Sequence, residues 1–336
     1  MRVLVTGATG FVGLHTALAL FAAGHDVRLG VRNPKKMQQL YDRHGVDVQD
    51  YTLVEVTDRD SVHSALDGCD GLVHTAAMVS LDPADAELAY NTNVAGTRLM
   101  IGSAVERGLA SIVHVSSAAA LFDPGLHVID ENAPLSPART SYARSKAAAD
   151  RYVQEQLENG ANIAITYPTG VIGPDDPSIS EGNESLRFLL NNFHINTSSG
   201  LQVVDVRDLA RAQRALLEAP TRGRFLVSGH YVPWRELGDM LEKISARRLR
   251  RVPVPGPVLR AAGTLVDLIR RVHPVDSPVS REATELATRW VYCDDSKLRA
   301  TLALDHRPLE ETLRDTVAWL AAAGHVDTDW ARNLTD

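Results

Sequence analysis

Apolar residues in the first half of the chain fall into two alternating patterns. Short apolar runs at Arg2–Thr6, Gly71–His74, Ile112–Ser116 and Ile163–Tyr167 read as buried strands. Val27, Leu29 and Val31 alternate with polar or small residues in another strand, and a further one is expected near Tyr51–Val56. Between them, helical spacing marks Phe11–Ala23, Arg59–Leu66, Ala84–Arg107 and Ser141–Glu158. Strands separated by helices predict an α/β fold with a doubly wound parallel sheet.

After Pro168 the texture changes: Gly170, Gly173, Pro174 and Pro177 thicken the chain and regular alternation stops. Residues 1–170 are therefore expected to form the sheet domain, with 201–228 returning to it through Leu201–Leu217 and Arg224–Ser228. Residues 171–200 and 229–336 are expected to form a smaller, mostly helical substrate lobe, closed by a helix at Leu309–Ala323. Pro257–Val272 reads as an amphipathic helix, with Leu259, Leu265, Val266 and Ile269 among Arg260, Arg270 and Arg271. Covering the lobe is its expected role; membrane-surface association is the alternative, which liposome flotation separates.

Composition narrows the classes. A chain of 336 residues with 44% hydrophobic and 23% charged content is ordinary for a globular protein. Its net charge of -7 gives no basic footprint, so no nucleic-acid partner is expected. The run Arg247, Arg248, Arg250 and Arg251 reads as a solvated helix end. Cys69 and Cys293 stand far apart, which suits a reduced, cytoplasmic protein without a disulfide framework. The histidines show no metal-ligand spacing, so no metal site is expected. With the first strand at Arg2 no leader is expected, and no apolar run approaches the ~18 residues of a membrane span.

Thr6-Gly7-Ala8-Thr9-Gly10-Phe11-Val12-Gly13 follows the first strand and opens the first helix, the context that a dinucleotide fingerprint requires. Gly7 permits the tight turn, Gly10 lets backbone approach a pyrophosphate, and Gly13 allows close helix packing. The helix start then presents unpaired N–H groups to the diphosphate. At the end of the second strand, an acidic residue would bind a ribose diol. This chain has Arg32 there, with Lys35 and Lys36 nearby, which favours the 2′-phosphate of NADP over NAD.

Tyr142 and Lys146 lie at i and i+4 of one predicted helix and so share a face. A free tyrosine titrates near pH of about 10 and is a poor base at neutral pH. A neighbouring ammonium favours the phenolate, so Tyr142 can exchange a proton with a substrate hydroxyl or carbonyl. Ser116-Ser117 falls at the carboxyl end of the fifth predicted strand, where open α/β sheets place ligands. Asn93 lies in a helix expected to cross beside it.

Together these features resemble the extended short-chain dehydrogenase/reductase family, also called the NAD-dependent epimerase/dehydratase family. The resemblance runs from Met1 to about Asp208. It is carried by the glycine loop, Glu55-Val56-Thr57-Asp58, His74-Thr75-Ala76-Ala77, Asn93-Val94-Ala95-Gly96-Thr97, Ser116-Ser117-Ala118 and Tyr142 with Lys146. Pro168 through Gly173-Pro174 and Asp205-Val206-Arg207-Asp208 complete it.

The resemblance implies roles at the matching positions. Tyr142 would be the general acid/base, and Lys146 would hold the nicotinamide ribose and tune that tyrosine. Ser117, rather than Ser116, would polarise the substrate carbonyl, and Asn93 would be a structural and proton-relay residue. Phe11 and Val12 would offer N–H groups to the diphosphate. Glu55, where the family usually has Asp, and Val56 would contact adenine. Thr75, Ala76 and Ala77 would line the ribose, and Pro168 and Val171 the carboxamide. Tyr167 replaces the Arg usual before that proline. Relatives often pair through helices matching Ala84–Arg107 and Ser141–Glu158, so a homodimer is the partner expectation.

The reaction can be narrowed. A dehydratase needs an added acid and base after its serine, and Ala118, Ala119 and Ala120 move no proton. For a sugar diphosphate, residues 178–204 offer only Arg187, amid Phe188, Leu189, Leu190, Phe193 and Ile195. The Val31-Arg32-Asn33-Pro34 turn and the Val171-Ile172-Gly173-Pro174 segment look similar to the dihydroflavonol reductase and 3β-hydroxysteroid dehydrogenase branches. The expectation is an NADP-linked reductase or dehydrogenase of a moderately apolar carbonyl or alcohol. The alternatives are a sugar-nucleotide epimerase with tightly bound NAD, or a non-catalytic dinucleotide sensor.

Overall fold

A computed structural model of the chain describes residues 1–78, 86–137, 141–219, 221–270, 272–273 and 279–334, apart from the side chains of Ser141 and Glu282. The first half runs β1 (Arg2–Thr6), α1 (Phe11–Ala22), β2 (Asp26–Val31), α2 (Pro34–Asp42), β3 (Tyr51–Leu53), α3 (Arg59–Leu66) and β4 (Gly71–His74). It continues through α4 (Ala86–Glu106), β5 (Ser111–Val115), β6 (Val128–Ile129), α5 (Ser141–Glu158) and β7 (Ile163–Pro168). The second half runs β8 (Gly170–Ile172), α6 (Glu181–Asn191), β9 (His194–Asn196), β10 (Gly200–Asp205), α7 (Val206–Glu218), β11 (Gly223–Val227) and β12 (His230–Pro233). It ends with α8 (Trp234–Ser245), β13 (Arg251–Pro253), α9 (Gly256–Arg270), α10 (Arg281–Thr288), β14 (Tyr292–Cys293), α11 (Ser296–Leu302) and α12 (Leu309–Ala322).

Seven strands build one sheet in the order β11-β7-β5-β4-β1-β2-β3, and every pairing in it is parallel. Its middle strands β4 and β5 are buried along their whole length, as helix-covered parallel strands must be. One face packs Val3, Val5 and Leu29 under α1 and α7; the other packs Leu4, Leu72 and Ile165 under α3, α4 and α5. A third apolar cluster, including Ile172, Leu189, Leu241 and Val317, joins the later segments. The expected Rossmann-type doubly wound sheet is borne out.

Three elements differ from the sequence expectation. The helix α2 was not foreseen: it buries only Met37 and Tyr41, too few apolar positions to show a period. Its start is local chemistry, with Asn33 accepting from Lys36 N and Pro34 opening the first turn. The strand near Tyr51–Val56 stops at Leu53. Residues 200–205 do not rejoin the main sheet: β10 pairs with β8 in parallel and with β12 antiparallel, in a separate three-stranded sheet. A strand buried on both faces carries no mark of which sheet it belongs to, so only α7 and β11 return. The start of the expected helix at Ala84 and Asp85, and Arg271 of the amphipathic stretch, lie outside the described residues.

The amphipathic stretch is α9, and it covers the lobe by a narrow face. Leu259 and Gly263 are buried, whereas Val258, Leu265, Leu268, Ile269 and Val272 are exposed. The arginine run is only half solvated. Arg251 pairs with Asp239 and Glu242, and Arg247 lies over the Trp330 ring, while Arg248 and Arg250 are exposed.

Candidate active site

The sheet order reverses between β1 and β4, which opens a crevice at their carboxyl ends. The glycine loop sits at its mouth. Gly7 has φ of 71°, a left-handed conformation open to glycine. A Cβ on Gly13 would lie 2.2 Å from the Gly7 carbonyl oxygen and 2.7 Å from Thr75 Oγ1, so α1 presses directly on the loop. On Gly10 a Cβ would meet nothing nearer than the Gly7 oxygen at 3.3 Å. Among the described residues no side chain caps α1, and no acid occupies its first turn, leaving the N–H groups of Phe11, Val12 and Gly13 without a side-chain partner there. The buried Tyr41 hydroxyl pins the loop by donating to Ala8 O at 3.0 Å. An open backbone cradle with uncapped donors fits a diphosphate.

The neighbouring segments close on this loop. Thr75 Oγ1 donates to Thr6 O at 2.7 Å, and Ala76 N donates to Thr6 Oγ1 at 3.4 Å, so Thr75 and Ala76 adjoin Gly7; Ala77 follows, exposed. Val56 packs beneath Gly96, and Glu55 is exposed, accepting from Thr57. Arg32 and Lys36 are exposed beyond the end of β2, and among the described residues neither makes an ion pair. Pro168 ends β7 and Val171 lies in β8. The segment that follows reaches α1: His15 Nε2 meets Pro174 O at 3.0 Å.

At the far end of the crevice, α5 presents Tyr142 and Lys146 together, with Lys146 Nζ 5.9 Å from the centre of the Tyr142 ring. Lys146 is buried, and burial drops its ammonium to about 8 although Asp150 pulls it up. Beneath it lie His74 and His114, stacked with ring centres 5.7 Å apart. Burial lowers His74 to about 3 and His114 well below its ordinary range, so both are neutral. Ser117 follows β5 and caps a 3₁₀ turn at Ala118–Ala120, its Oγ accepting from Ala119 N at 3.2 Å. Asn93 binds the loop after β4: Oδ1 accepts from Met78 N at 2.7 Å, while Nδ2 donates to Met78 O at 3.0 Å and Ser145 Oγ at 3.3 Å. One carboxamide thus ties that loop to the helix bearing Tyr142.

Sequence reading missed a polar set behind Lys146, namely the buried Asp150 and Tyr167 with the half-buried Gln154 and Arg224. The signal was there in part, since Asp150 is i+4 from Lys146 on the same helix. Among the described residues, no three His, Cys, Asp or Glu are grouped to hold a metal ion, and no helix is long and apolar enough to cross a membrane.

A family model described as the NAD dependent epimerase/dehydratase family matches residues 3–228. The chain is similar to sterol demethylase protein B of Methylococcus capsulatus, 29% identical over 97% of this chain and 100% of that one. It is also similar to the 4-hydroxy-2-methyl-3-oxo-4-farnesyl-3,4-dihydroquinoline-1-oxide ketoreductase of Stigmatella aurantiaca, 28% identical over 96% of this chain and 98% of the other. Among solved structures it superposes on vestitone reductase from alfalfa with a TM-score of 0.74 at 22% identity, covering 97% and 99% of the two chains, a likeness of fold. The family match spans every strand of the main sheet, from β1 through β11, and with it the glycine loop and the Tyr142–Lys146 pair: the chain belongs to the NAD-dependent epimerase/dehydratase family, as the resemblance implied.

Proposed function

We propose that the chain is an NADP-linked oxidoreductase that interconverts a carbonyl and an alcohol on a moderately apolar small molecule. The observation that carries this reading is the Lys146 ammonium held 5.9 Å from the Tyr142 ring, at the ligand-binding edge of the sheet. When bound, the nicotinamide supplies or takes up the hydride. Tyr142 Oη gives its proton to the nascent alkoxide in reduction and takes it back in oxidation. Lys146, charged below about 8, favours the phenolate that this leaves. Ser117 Oγ still has its proton to donate to the substrate oxygen, since its capping bond uses a lone pair. Asn93 holds the loop and Ser145 in register.

The apolar substrate class is supported by relatives named for a sterol and a farnesylated quinoline. It is also supported by Arg187, which forks onto Glu184 at 2.7 and 2.8 Å and so is already compensated as a diphosphate clamp. Incubation with NADPH and a panel of apolar ketones and aldehydes should consume nicotinamide absorbance. Turnover of nucleotide sugars with no absorbance change would overturn the reading in favour of an epimerase.

The NADP preference rests on Arg32, at the end of β2 where an acid would bind a ribose diol, and on Lys36, both exposed and in no ion pair among the described residues. Arg32→Glu is expected to weaken NADPH binding by roughly 10-fold to 100-fold, the worth of a charged hydrogen bond, and to leave NADH binding as tight or tighter. Cofactor titrations followed by fluorescence check it, and equal losses for both nucleotides would refute the preference. Unpaired Cys69 and Cys293 support a cytoplasmic location.

A further inference from the structure

We propose that Asp150 is a positioning residue for Lys146: a buried counter-ion one helical turn away that keeps the ammonium charged, itself held by Tyr167 and Gln154, with Arg224 bonded to that Tyr167. The inference builds on the proposed role of Lys146 but concerns groups that can be observed without turnover.

Asp150 and Lys146 are i and i+4 neighbours on α5, and both are buried, Asp150 completely. A buried ammonium is costly unless an opposite charge faces it. The groups around Lys146 are His74 on β4, His114 on β5, and Tyr142 and Asp150 on α5. The two histidines are neutral, so among the described residues the charge that supports the ammonium is the Asp150 carboxylate.

Burial raises the Asp150 carboxyl overall, and its neighbours oppose that rise and favour the ionised form. Its Oδ2 accepts from Tyr167 Oη and from Gln154 Nε2, each at 2.7 Å. Arg224 from β11 donates through Nε to Tyr167 Oη at 3.2 Å and through Nη2 to Ala133 O at 2.7 Å, and its guanidinium lies 5.3 Å from the Tyr167 ring centre. Burial pushes the Asp150 carboxyl up; the bonds from Tyr167, Gln154 and Ser116 and the Arg224 charge pull it back. The Ser116 hydroxyl is near enough to act on the carboxyl, though neither it nor Asp150 Oδ1 meets full hydrogen-bond geometry. Burial holds Tyr167 well above its ordinary range, so it remains a phenol that donates. Tyr167 occupies the position before Pro168 where the family usually has Arg, and here the guanidinium comes instead from the adjacent strand. Hydrogen bonds thus run from Arg224 through Tyr167 to Asp150, and from there the charge acts on Lys146, one helical turn away, through space.

The chain has five lysines, Lys35, Lys36, Lys146, Lys243 and Lys297. Protein isotope-enriched at lysine Cε therefore gives few NMR signals, and Lys146 is the one absent from Lys146→Met. Its titration midpoint, followed in the free full-length protein, should be near 8. Asp150→Asn, which keeps the size and an acceptor for Tyr167, should lower that midpoint by about one pH unit or more. Asp150→Glu should restore most of it, and Tyr167→Phe should lower it less than Asp150→Asn does. An unchanged midpoint in folded Asp150→Asn, or no recovery in Asp150→Glu, overturns the proposal. Should Asp150→Asn fail to fold, an unchanged midpoint in Tyr167→Phe does so. Failure of the chain to reduce any carbonyl would sink the proposed function and leave this result standing.

Discussion

Tyr142→Phe is expected to lower kcat by roughly 10²- to 10⁴-fold, the worth of a general acid or base, with cofactor affinity nearly unchanged. The ring stays, and Lys146 keeps the aromatic face that it approaches at 5.9 Å; only the proton-carrying oxygen is removed. Single-turnover absorbance with a carbonyl that the wild type reduces measures the first quantity, and fluorescence titration of the nucleotide the second. A variant that turns over at the wild-type rate would remove Tyr142 from the chemistry. The pH dependence follows from the ammonium. Burial depresses Lys146 to about 8, so its charge is present below that pH and is lost as pH rises through it. The wild-type rate should therefore fall on the alkaline side, centred near 8.

The second large effect belongs to the glycine loop. Gly13→Ala would place a methyl group 2.2 Å from the Gly7 oxygen, and the obstacle is backbone that cannot rotate away. Either α1 shifts outward or the loop loses its turn. Overpacking of this kind costs about 1–3 kcal/mol of stability. A cradle displaced by an ångström is expected to cost nucleotide affinity on the order of 10²-fold. Gly10→Ala separates the two consequences. Its methyl group would meet only the Gly7 oxygen, at 3.3 Å, so the fold should keep nearly its full Tm while the diphosphate loses its close approach. Thermal melts paired with cofactor titrations read both. A Gly13→Ala protein that melts and binds like the wild type would show that the contact between α1 and the loop is not what shapes the site.

The sequence by itself determined what depends on short spacing. Alternating strand and helix periods set the parallel sheet, three glycines in one turn set the nucleotide loop, and i, i+4 spacing put Tyr142 beside Lys146, because each is fixed by backbone geometry within a few residues. Tertiary structure alone decided the rest. That Asn93 lies near the site was legible, but its partners Met78, after β4, and Ser145, on α5, are set by how α4 crosses those segments. Gly200–Asp205 joins a second sheet because burial on both faces suits either one. The outer face of α9 is exposed because only Leu259 and Gly263 turn inward, a choice that its periodicity left open. Asp150 meets Tyr167 and Arg224 because β7 and β11 lie side by side in the sheet, bringing residues 17 and 57 positions apart into one hydrogen-bonded chain. Burial then supplies the energy scale, since the same carboxylate in water would do little for an ammonium one turn away.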